Sequence, residues 1–257
     1  MTAARDPTRL LELPAEVRAH LLHQLAGLVT PQRLQRMDDV LAARTARLVV
    51  VFEDVYHPHN ASAVLRTSEC LGLQDVHIVE STKSFRPLRD IARGSARWLT
   101  LRRWGGEHPG DIDACLAALR GDGYAIVATS PDADAVPLED VPLERPLAVC
   151  FGTEETGLSP AAFAAADVKV TIPTPGFTRS LNVSVTAALV LHHLATRLRA
   201  TQPPAAWQLP AARCDDLRLL WLAGESRSAR ALAYEALRQA GLLPPPVPFF
   251  RDRPRQA

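Results

Sequence analysis

Four polar loops in this chain each follow a short apolar run, and they carry the residues whose types suit chemistry. They are EDVYHPHNASAVLR (53–66), TSPDAD (129–134), GTEETGLS (152–159) and TPGFTRSLN (174–182). In an open α/β sheet, ligands bind beyond the carboxyl ends of the strands. We therefore expect a ligand site among these four loops.

Two of the loops offer candidates that also have plain structural explanations. Asn60 stands where a helix would begin, and Arg66 follows six residues later. An N-cap and a solvated helix residue would account for this pair. Ser180 would likewise serve as an N-cap, but a cap does not require a Pro/Gly turn and a second polar residue, Asn182. The fourth loop therefore favours a site over a cap.

The third loop has the glycine spacing of a phosphate loop but not its chemistry. Gly152 and Gly157 are correctly spaced, yet Leu158 stands where the phosphate-binding lysine should be. Glu154 and Glu155 would repel a triphosphate, which excludes a nucleotidase. No GxGxxG follows the first predicted strand, which argues against a dinucleotide-binding fold.

The alternation of elements predicts the fold class. Between residues 46 and 200, β-branched runs alternate with helical stretches, which indicates an α/β domain with a mostly parallel sheet and helices on both faces. Helical extensions are predicted before it, in residues 1–45, and after it, in residues 201–257. Strands are expected at 47–53, 75–80, 98–102, 124–130, 147–152 and 168–173, and core helices at 59–71, 111–120, 159–165 and 181–199.

Composition limits the partners and the compartment. The net charge of the 257 residues is only +1, so any nucleic-acid surface must be local. The segment 83–103, with seven basic residues and one acid, is such a region, although a solvated loop explains it equally well. We expect no membrane span, no secretory signal and no metal site, and the four separated cysteines favour reduced thiols in a cytoplasmic protein.

Three motifs together resemble a known family. NASAVLR, FGTEETGLS and IPTPGFTRSLNVSVTAALVL occur in the order and spacing of the SpoU branch of the SPOUT RNA ribose 2′-O-methyltransferases. The resemblance implies a deep trefoil knot in the C-terminal part of the domain, and S-adenosylmethionine as the cofactor. It also implies a catalytic set and a cofactor-binding set, namely Asn60, Arg66, Glu154, Ser180 and Asn182, and Thr129, Gly152, Ile172, Gly176 and Leu181.

The resemblance also implies the substrate and the assembly. The short extensions are similar to those of tRNA members, which methylate guanosine-18 in the D-loop, and a homodimer through the knot helices is expected. The residues expected to bind RNA are Arg33, Arg36, Arg44, Arg197 and Arg199. A ribosomal-RNA target or a non-catalytic RNA-binding module are the alternatives. Glu155 departs from the family, which often has lysine there, and makes the pocket more acidic.

Overall fold

The computed structural model describes residues 7–55, 57–81, 94–106, 108, 110–131, 135–178 and 180–243. Two compact units are formed, of which Ala42–Leu209 is the larger. The helices before and after that segment form the other unit. Helices of the N-terminal and C-terminal extensions thus pack with each other.

The larger unit is built on a parallel sheet. Its strands are β1 (Leu48–Glu53), β2 (Asp75–Glu80), β3 (Thr100–Gly105), β4 (Ala125–Thr129), β5 (Val136–Pro137), β6 (Leu147–Phe151) and β7 (Val168–Thr171). Their order across the sheet is β3-β2-β1-β6-β4-β7-β5, and every pair is parallel. This confirms the predicted fold class. The knot is a further expectation that strand order does not test, and it stays a prediction.

Helices cover both faces of the sheet, as the apolar strands require. The helices of this unit are α3 (Pro58–Cys70), α4 (Ile112–Gly121), α5 (Pro160–Ala165), α6 (Val183–Thr201) and α7 (Pro204–Trp207). Alternate residues of β1 face opposite ways, so Val50 and Phe52 pack with α3 and α6, while Val49 and Val51 pack with α4 and α5. Neither face of β1 is exposed to solvent, because helices cover both, and β1 is therefore buried at every position.

The smaller unit is helical. It contains α1 (Ala15–Ala26) and most of α2 (Pro31–Ala42), followed at the other end of the chain by α8 (Ala211–Glu225) and α9 (Arg227–Gln239). Helix α1 packs on α8 and α9 through residues such as Leu21 and Leu25. Arg18 pairs with Asp216 at 2.7 Å, and Arg218 pairs with Asp38 at 2.9 Å. Apolar packing and these ion pairs both hold the unit together.

The boundaries differ from the prediction in three places. Strand β3 is displaced from the predicted 98–102, because Ser95–Trp98 forms a 3₁₀ turn in which Arg97 stacks on Trp98 at 4.1 Å. Helix α6 begins at Val183 rather than at 181, because Asn182 is its cap. The two-residue strand β5 was not predicted, since so short a run has no period to detect.

Candidate active site

A cavity of about 420 Å³ opens beyond the carboxyl ends of β4, β6 and β7. Four of the five residues predicted to bind the cofactor line it, namely Thr129, Gly152, Ile172 and Leu181. The fifth, Gly176, lies outside the lining residues, and a Cβ added there would meet nothing within 4 Å. The loops after β4, β6 and β7 therefore line one cavity, to which Gly176 of the Pro/Gly turn does not contribute.

The cavity has an apolar wall and a polar rim. The wall is formed by Leu158 from the loop after β6, Phe163 from α5, and Val183 and Val190 from α6. The exposed side chains of Glu154, Glu155, Thr156 and Ser180 form the rim. Less exposed hydroxyl side chains also line the cavity, namely Ser130, Thr153, Thr171, Thr174 and Thr186. A ligand with a flat apolar part and a polar, cationic part would match both surfaces.

The loop after β6 is locked by its own hydrogen bonds. Thr153 and Gly157 exchange two backbone hydrogen bonds of 3.0 Å, and Gly157 has a φ of 69°, which glycine adopts without strain. The Thr153 hydroxyl lies 2.8 Å from that of Thr156 and accepts the Thr156 backbone N–H at 3.0 Å. A Cβ on Gly152 would lie only 2.1 Å from the Gly157 backbone. The first glycine of the motif is thus required for loop closure.

Three of the predicted catalytic residues form one hydrogen-bonded network at the rim. The Glu154 carboxylate accepts hydrogen bonds from the Asn60 amide and, at 2.7 Å, from the Asn182 amide. The Asn182 amide also donates to the Asn60 carbonyl oxygen at 3.2 Å. Because three separate loops supply these side chains, the network ties the first, third and fourth polar loops together.

Two helices hold the asparagines in place. Helix α3 begins at Pro58, so Asn60 lies in its first turn. Asn182 caps α6, and its side-chain oxygen accepts hydrogen bonds from the Ser184 backbone N–H at 2.9 Å and from the Ser184 hydroxyl at 2.6 Å. The two helices pack against each other on the sheet, which brings both starts to the same edge.

The other two predicted catalytic residues stay outside this network. Ser180 lines the cavity and is exposed, and it does not cap α6. Arg66 is exposed on α3 and makes no hydrogen bond or ion pair with any described residue. Six residues place it about 9 Å along the helix from Asn60 and on a different side. In this fold the Asn60 amide therefore contacts Glu154 and not Arg66.

Arg44 was predicted to bind RNA, and its burial contradicts that role. It is 0% exposed, donates to the Leu73 carbonyl at 2.9 Å and pairs with Glu69 at 2.9 Å. Burial lowers the pKa of Arg44, and the neighbouring Glu69 opposes this effect. The guanidinium holds the turn after α3 against the segment before β1, and in this fold it exposes no surface to an RNA phosphate.

The remaining predicted RNA contacts differ in availability. Arg197 donates to the carbonyls of Leu138 and Val141 at 2.6 and 3.2 Å. Arg199 donates to the Leu71 carbonyl at 2.7 Å and stacks on Trp207. Both side chains thus have structural partners in this fold.

In the helical unit, Arg33 and Arg36 lie three residues apart on α2. Arg33 pairs with Glu225 at 2.8 Å. Arg36 is exposed and has no hydrogen-bond or ion-pair partner among the described residues. Of the two, Arg36 presents the charge that a phosphate would reach first.

Several cavity residues were not predicted from the sequence. Phe163 comes from the α5 helix, and Thr186 and Val190 lie one and two turns into α6. Helical periodicity from the Asn182 cap would have found the last two, because they lie four and eight residues beyond it. Most of the basic segment, residues 83–93, and residues 132–134 of the second loop lie outside the described residues.

The described part of the chain contains neither a metal-binding cluster nor a membrane-spanning helix. No group of three or more histidine, cysteine or carboxylate side chains is arranged to hold a metal ion there. Among the same residues, no helix is long and apolar enough to cross a membrane.

Comparison with known proteins identifies the family. Residues 47–192, more than half of the chain, match the SpoU rRNA Methylase family. A tRNA (guanosine(18)-2′-O)-methyltransferase of Borreliella burgdorferi is 39% identical over 175 residues, covering 68% of this chain and 78% of that protein. The chain belongs to the SpoU methylase family, which confirms the resemblance seen in its motifs.

Two solved structures agree with this assignment. The A. aeolicus TrmH/SpoU tRNA modifying enzyme matches with a TM-score of 0.67 and 27% sequence identity, covering 74% of this chain and 95% of that one. The SpoU methyltransferase AviRb from Streptomyces viridochromogenes, solved in complex with AdoMet, matches with a TM-score of 0.52 and 25% identity, covering 63% of this chain and 64% of that one.

Proposed function

We propose that this chain methylates the ribose 2′-hydroxyl of guanosine-18 in tRNA, with S-adenosylmethionine as methyl donor. The observation that carries the proposal is the Glu154 carboxylate at the cavity rim, held by the amides of Asn60 and Asn182. The Borreliella burgdorferi relative bears the name of this activity. A ribosomal-RNA substrate is the alternative that the assay must also examine, because the family is named for rRNA methylation.

The cavity suits S-adenosylmethionine in shape and charge. When bound, that cofactor supplies an electrophilic methyl group on a sulfonium cation. The apolar wall at Leu158 and Val183 would hold the adenine, and Glu154 and Glu155 would favour the positive charge at the rim. The loop backbone at Thr129, Gly152 and Ile172 would add hydrogen-bonding groups.

The networked side chains would align the acceptor hydroxyl. Glu154 receives two amide hydrogen bonds, so its carboxylate is fixed where a ribose would approach the cavity. Arg66, whose guanidinium is exposed, would bind the neighbouring phosphate and stabilise the developing alkoxide. Ser180 and Asn182, at the start of α6, would contact the substrate across the cavity mouth.

We propose that the helical extensions, residues 1–45 and 201–257, contribute to tRNA binding. Arg36 would bind a phosphate directly, since it is exposed. Arg33 would do so only after leaving Glu225, with which it pairs at 2.8 Å. We also propose that the family's knot is present and that the protein acts in the cytoplasm, where tRNA is processed.

A homodimer through α6 is part of the same proposal. Val185 and Leu189, one turn apart on α6, are each 46% exposed, and Leu181 precedes them. Exposed aliphatic side chains in a row would be covered by the same face of a second copy around a two-fold axis. Leu189→Arg should shift sedimentation from dimer to monomer at micromolar concentration, whereas a monomeric wild type would refute the assembly.

The experiment that tests the activity is methyl mapping on defined RNA. An unmodified tRNA transcript and S-adenosylmethionine are incubated with the protein, and alkali-resistant ribose is located along the RNA. Methylation at guanosine-18 is expected, and none on a transcript carrying 2′-deoxyguanosine there. Methylation of ribosomal fragments alone would replace tRNA with rRNA, and no methylation of any RNA would refute the proposal.

A matched pair of variants tests the role of the network. Glu154→Gln should reduce kcat at least about tenfold, because neutral hydrogen bonds are about half as strong as those to a carboxylate. Glu155→Gln is the control, since Glu155 lines the same rim without joining the network, and its effect should be much smaller. Equal losses in the two variants would mean that rim charge, not the network, matters.

A further inference from the structure

Helix α9 (Arg227–Gln239) has one packed face and one exposed face. It packs on α1 and α8, and its residues Ala229, Ala233 and Leu237, four apart in sequence, are buried. The residues on the opposite face are exposed, namely Arg227, Arg230, Ala231, Tyr234 and Arg238. The helix contains these three arginines and a single acid, Glu235. Its exposed face is therefore basic and carries one aromatic ring.

The positions of two of these arginines do not stabilise the helix itself. The first turn of α9, RSAR, contains Arg227 and Arg230 and no acid. Positive charges near the N-terminus of a helix are disfavoured by the helix dipole. An anion bound to both guanidinium groups would remove this repulsion. The arrangement therefore favours a negatively charged partner.

The three guanidinium groups of this face differ in how far they are engaged. Arg238 pairs with Glu235 at 2.5 Å. Arg230 donates to the Gly224 carbonyl at 3.0 Å, which uses one of the five N–H groups of its guanidinium. Arg227 makes no hydrogen bond or ion pair with any residue that the structure describes. Arg227 and Arg230 therefore have donors for a phosphate, whereas the charge of Arg238 is balanced within the helix.

Tyr234 places an aromatic ring among these charges. It is 38% exposed and follows Arg230 by four residues, which is about one helical turn. Arg227 precedes Arg230 by about one further turn. Basic and aromatic side chains on one surface are typical of proteins that bind single-stranded nucleic acids, because arginine contacts the phosphates and the ring stacks on an unpaired base. A membrane surface would instead require an apolar face, and the apolar face of α9 is already packed.

The basic face of α9 lies near the arginines of α2 in the same helical unit. Glu225, the last residue of α8, accepts hydrogen bonds from Arg33 at 2.8 and 3.3 Å. Arg227 follows Glu225 by two residues, so their Cα atoms lie at most about 7 Å apart. Arg36 is a neighbour of Arg33 on the surface of α2. Arginines of two helices thus lie close together, which favours an extended polyanion such as RNA over a single small anion.

We propose that the exposed face of α9 binds an unpaired segment of the RNA substrate, with Tyr234 stacking on a base and Arg227 and Arg230 binding the flanking phosphates. This inference rests on the proposed function, and it names the kind of RNA structure that the helical unit recognises. The faces of the bases are open in an unpaired segment, whereas in a duplex they are covered by neighbouring bases. The face therefore distinguishes the loops of a folded RNA from its stems.

The first test measures RNA binding by the full-length protein. Tyr234→Leu keeps an apolar side chain and removes the ring, so the affinity for an unstructured single-stranded oligoribonucleotide should fall about 5- to 100-fold. Tyr234→Phe should bind as the wild type does, and so should Val17→Ala, which shortens a side chain of α1 that is also 38% exposed. The affinity for a duplex of the same length should stay within about twofold of wild type. Wild-type affinity of Tyr234→Leu for the single strand would overturn the inference, and so would an equal loss on the duplex.

The second test separates this surface from the methyl-transfer chemistry. In Arg227→Met, the slope of log affinity against log salt concentration for the single strand should become shallower by about 0.7, whereas Arg227→Lys should keep the wild-type slope. In methyl transfer to tRNA, Tyr234→Leu should raise KM for the RNA about 5- to 100-fold and leave kcat within about twofold. If the wild type methylates tRNA and the two variants change neither KM nor the slope, only the surface assignment fails. If the wild type methylates no RNA, the proposed function fails instead, and the oligoribonucleotide measurements still decide the surface.

Discussion

Replacing Arg44 with methionine tests whether this arginine is structural or binds RNA. Methionine fills similar space without charge, so the change removes the two hydrogen bonds to the Leu73 carbonyl and to Glu69. Leaving the buried Leu73 carbonyl without a hydrogen-bond donor lowers the free energy of unfolding by about 1–3 kcal/mol. Loss of one partner from a fully buried ion pair costs about 3–5 kcal/mol, but Glu69 is 25% exposed and can be rehydrated. We expect the free energy of unfolding to fall by about 3 kcal/mol.

Two measurements separate the two roles. Urea unfolding gives the stability change, and tRNA affinity over a salt series counts the phosphates neutralised. The logarithm of the affinity falls linearly with the logarithm of the salt concentration, and each lost phosphate contact makes this negative slope shallower by about 0.9. Arg44→Met should destabilise the protein and leave this slope unchanged. Arg36→Met, at an exposed residue, should make the salt slope shallower and change the free energy of unfolding by no more than about 0.5 kcal/mol.

The opposite pattern would refute this reasoning. If Arg44→Met lowered the salt slope by about 0.9 and left unfolding unaffected, the buried guanidinium would have to be released to RNA in solution. Glu69→Gln offers a further check, because it keeps a hydrogen-bonding oxygen for Arg44 and should cost clearly less than the loss of Arg44 itself.

Three further predictions concern the site loop and two buried groups. Gly152→Ala should abolish S-adenosylmethionine binding by calorimetry, since its Cβ would lie 2.1 Å from backbone atoms, whereas Gly176→Ala, with open space, should bind normally. Burial, and secondarily Arg102, lowers the pKa of His77 from 6.5 to about 4. Because the unfolded state binds this proton first, urea unfolding should find stability lost as pH falls from 6.5 to 4, by up to about 3 kcal/mol. Burial raises the pKa of the Cys115 thiol to about 12, so a disulfide reagent at neutral pH should label exposed Cys70 and spare Cys115.

Each of these predictions has an outcome that would contradict it. Normal cofactor binding by Gly152→Ala would mean that the loop opens without loss of function. A His77→Asn protein with the same pH dependence as wild type would assign the acid sensitivity to other groups. Rapid labelling of Cys115 in the native protein would mean that the sheet and α4 separate readily in solution.

The sheet was predictable because its strands are buried on both faces. Runs such as LVVVFE are typical of a strand that is covered on both faces, and β1, β2, β4, β6 and β7 begin and end within about two residues of the expected bounds. Strand β3 was displaced because it is the edge next to β2, with Arg102 and Arg103 exposed. Charges on an edge strand protect against aggregation, and they also conceal the apolar period that identifies a strand.

The sequence indicated which loops form the site, but not which side chains contact each other there. The resemblance implied that Asn60, Glu154 and Asn182 belong to one catalytic set, and parallel strands bring the loops that carry them to one edge of the sheet. Which side chain each would contact depends on the closure of the β6 loop and on the helix starts. Those are long-range consequences of packing.

The arginines limit how this chain can bind an RNA polyanion. Four of the five predicted contacts are engaged within the protein, Arg44, Arg197 and Arg199 with backbone carbonyls and Arg33 with Glu225. A phosphate must displace the Glu225 carboxylate to reach Arg33, so part of the electrostatic gain is offset. Each phosphate contact is modest and salt-sensitive. A two-fold dimer would carry two copies of each exposed arginine, such as Arg36 and Arg66, and this supplies a physical reason for the assembly proposed through α6.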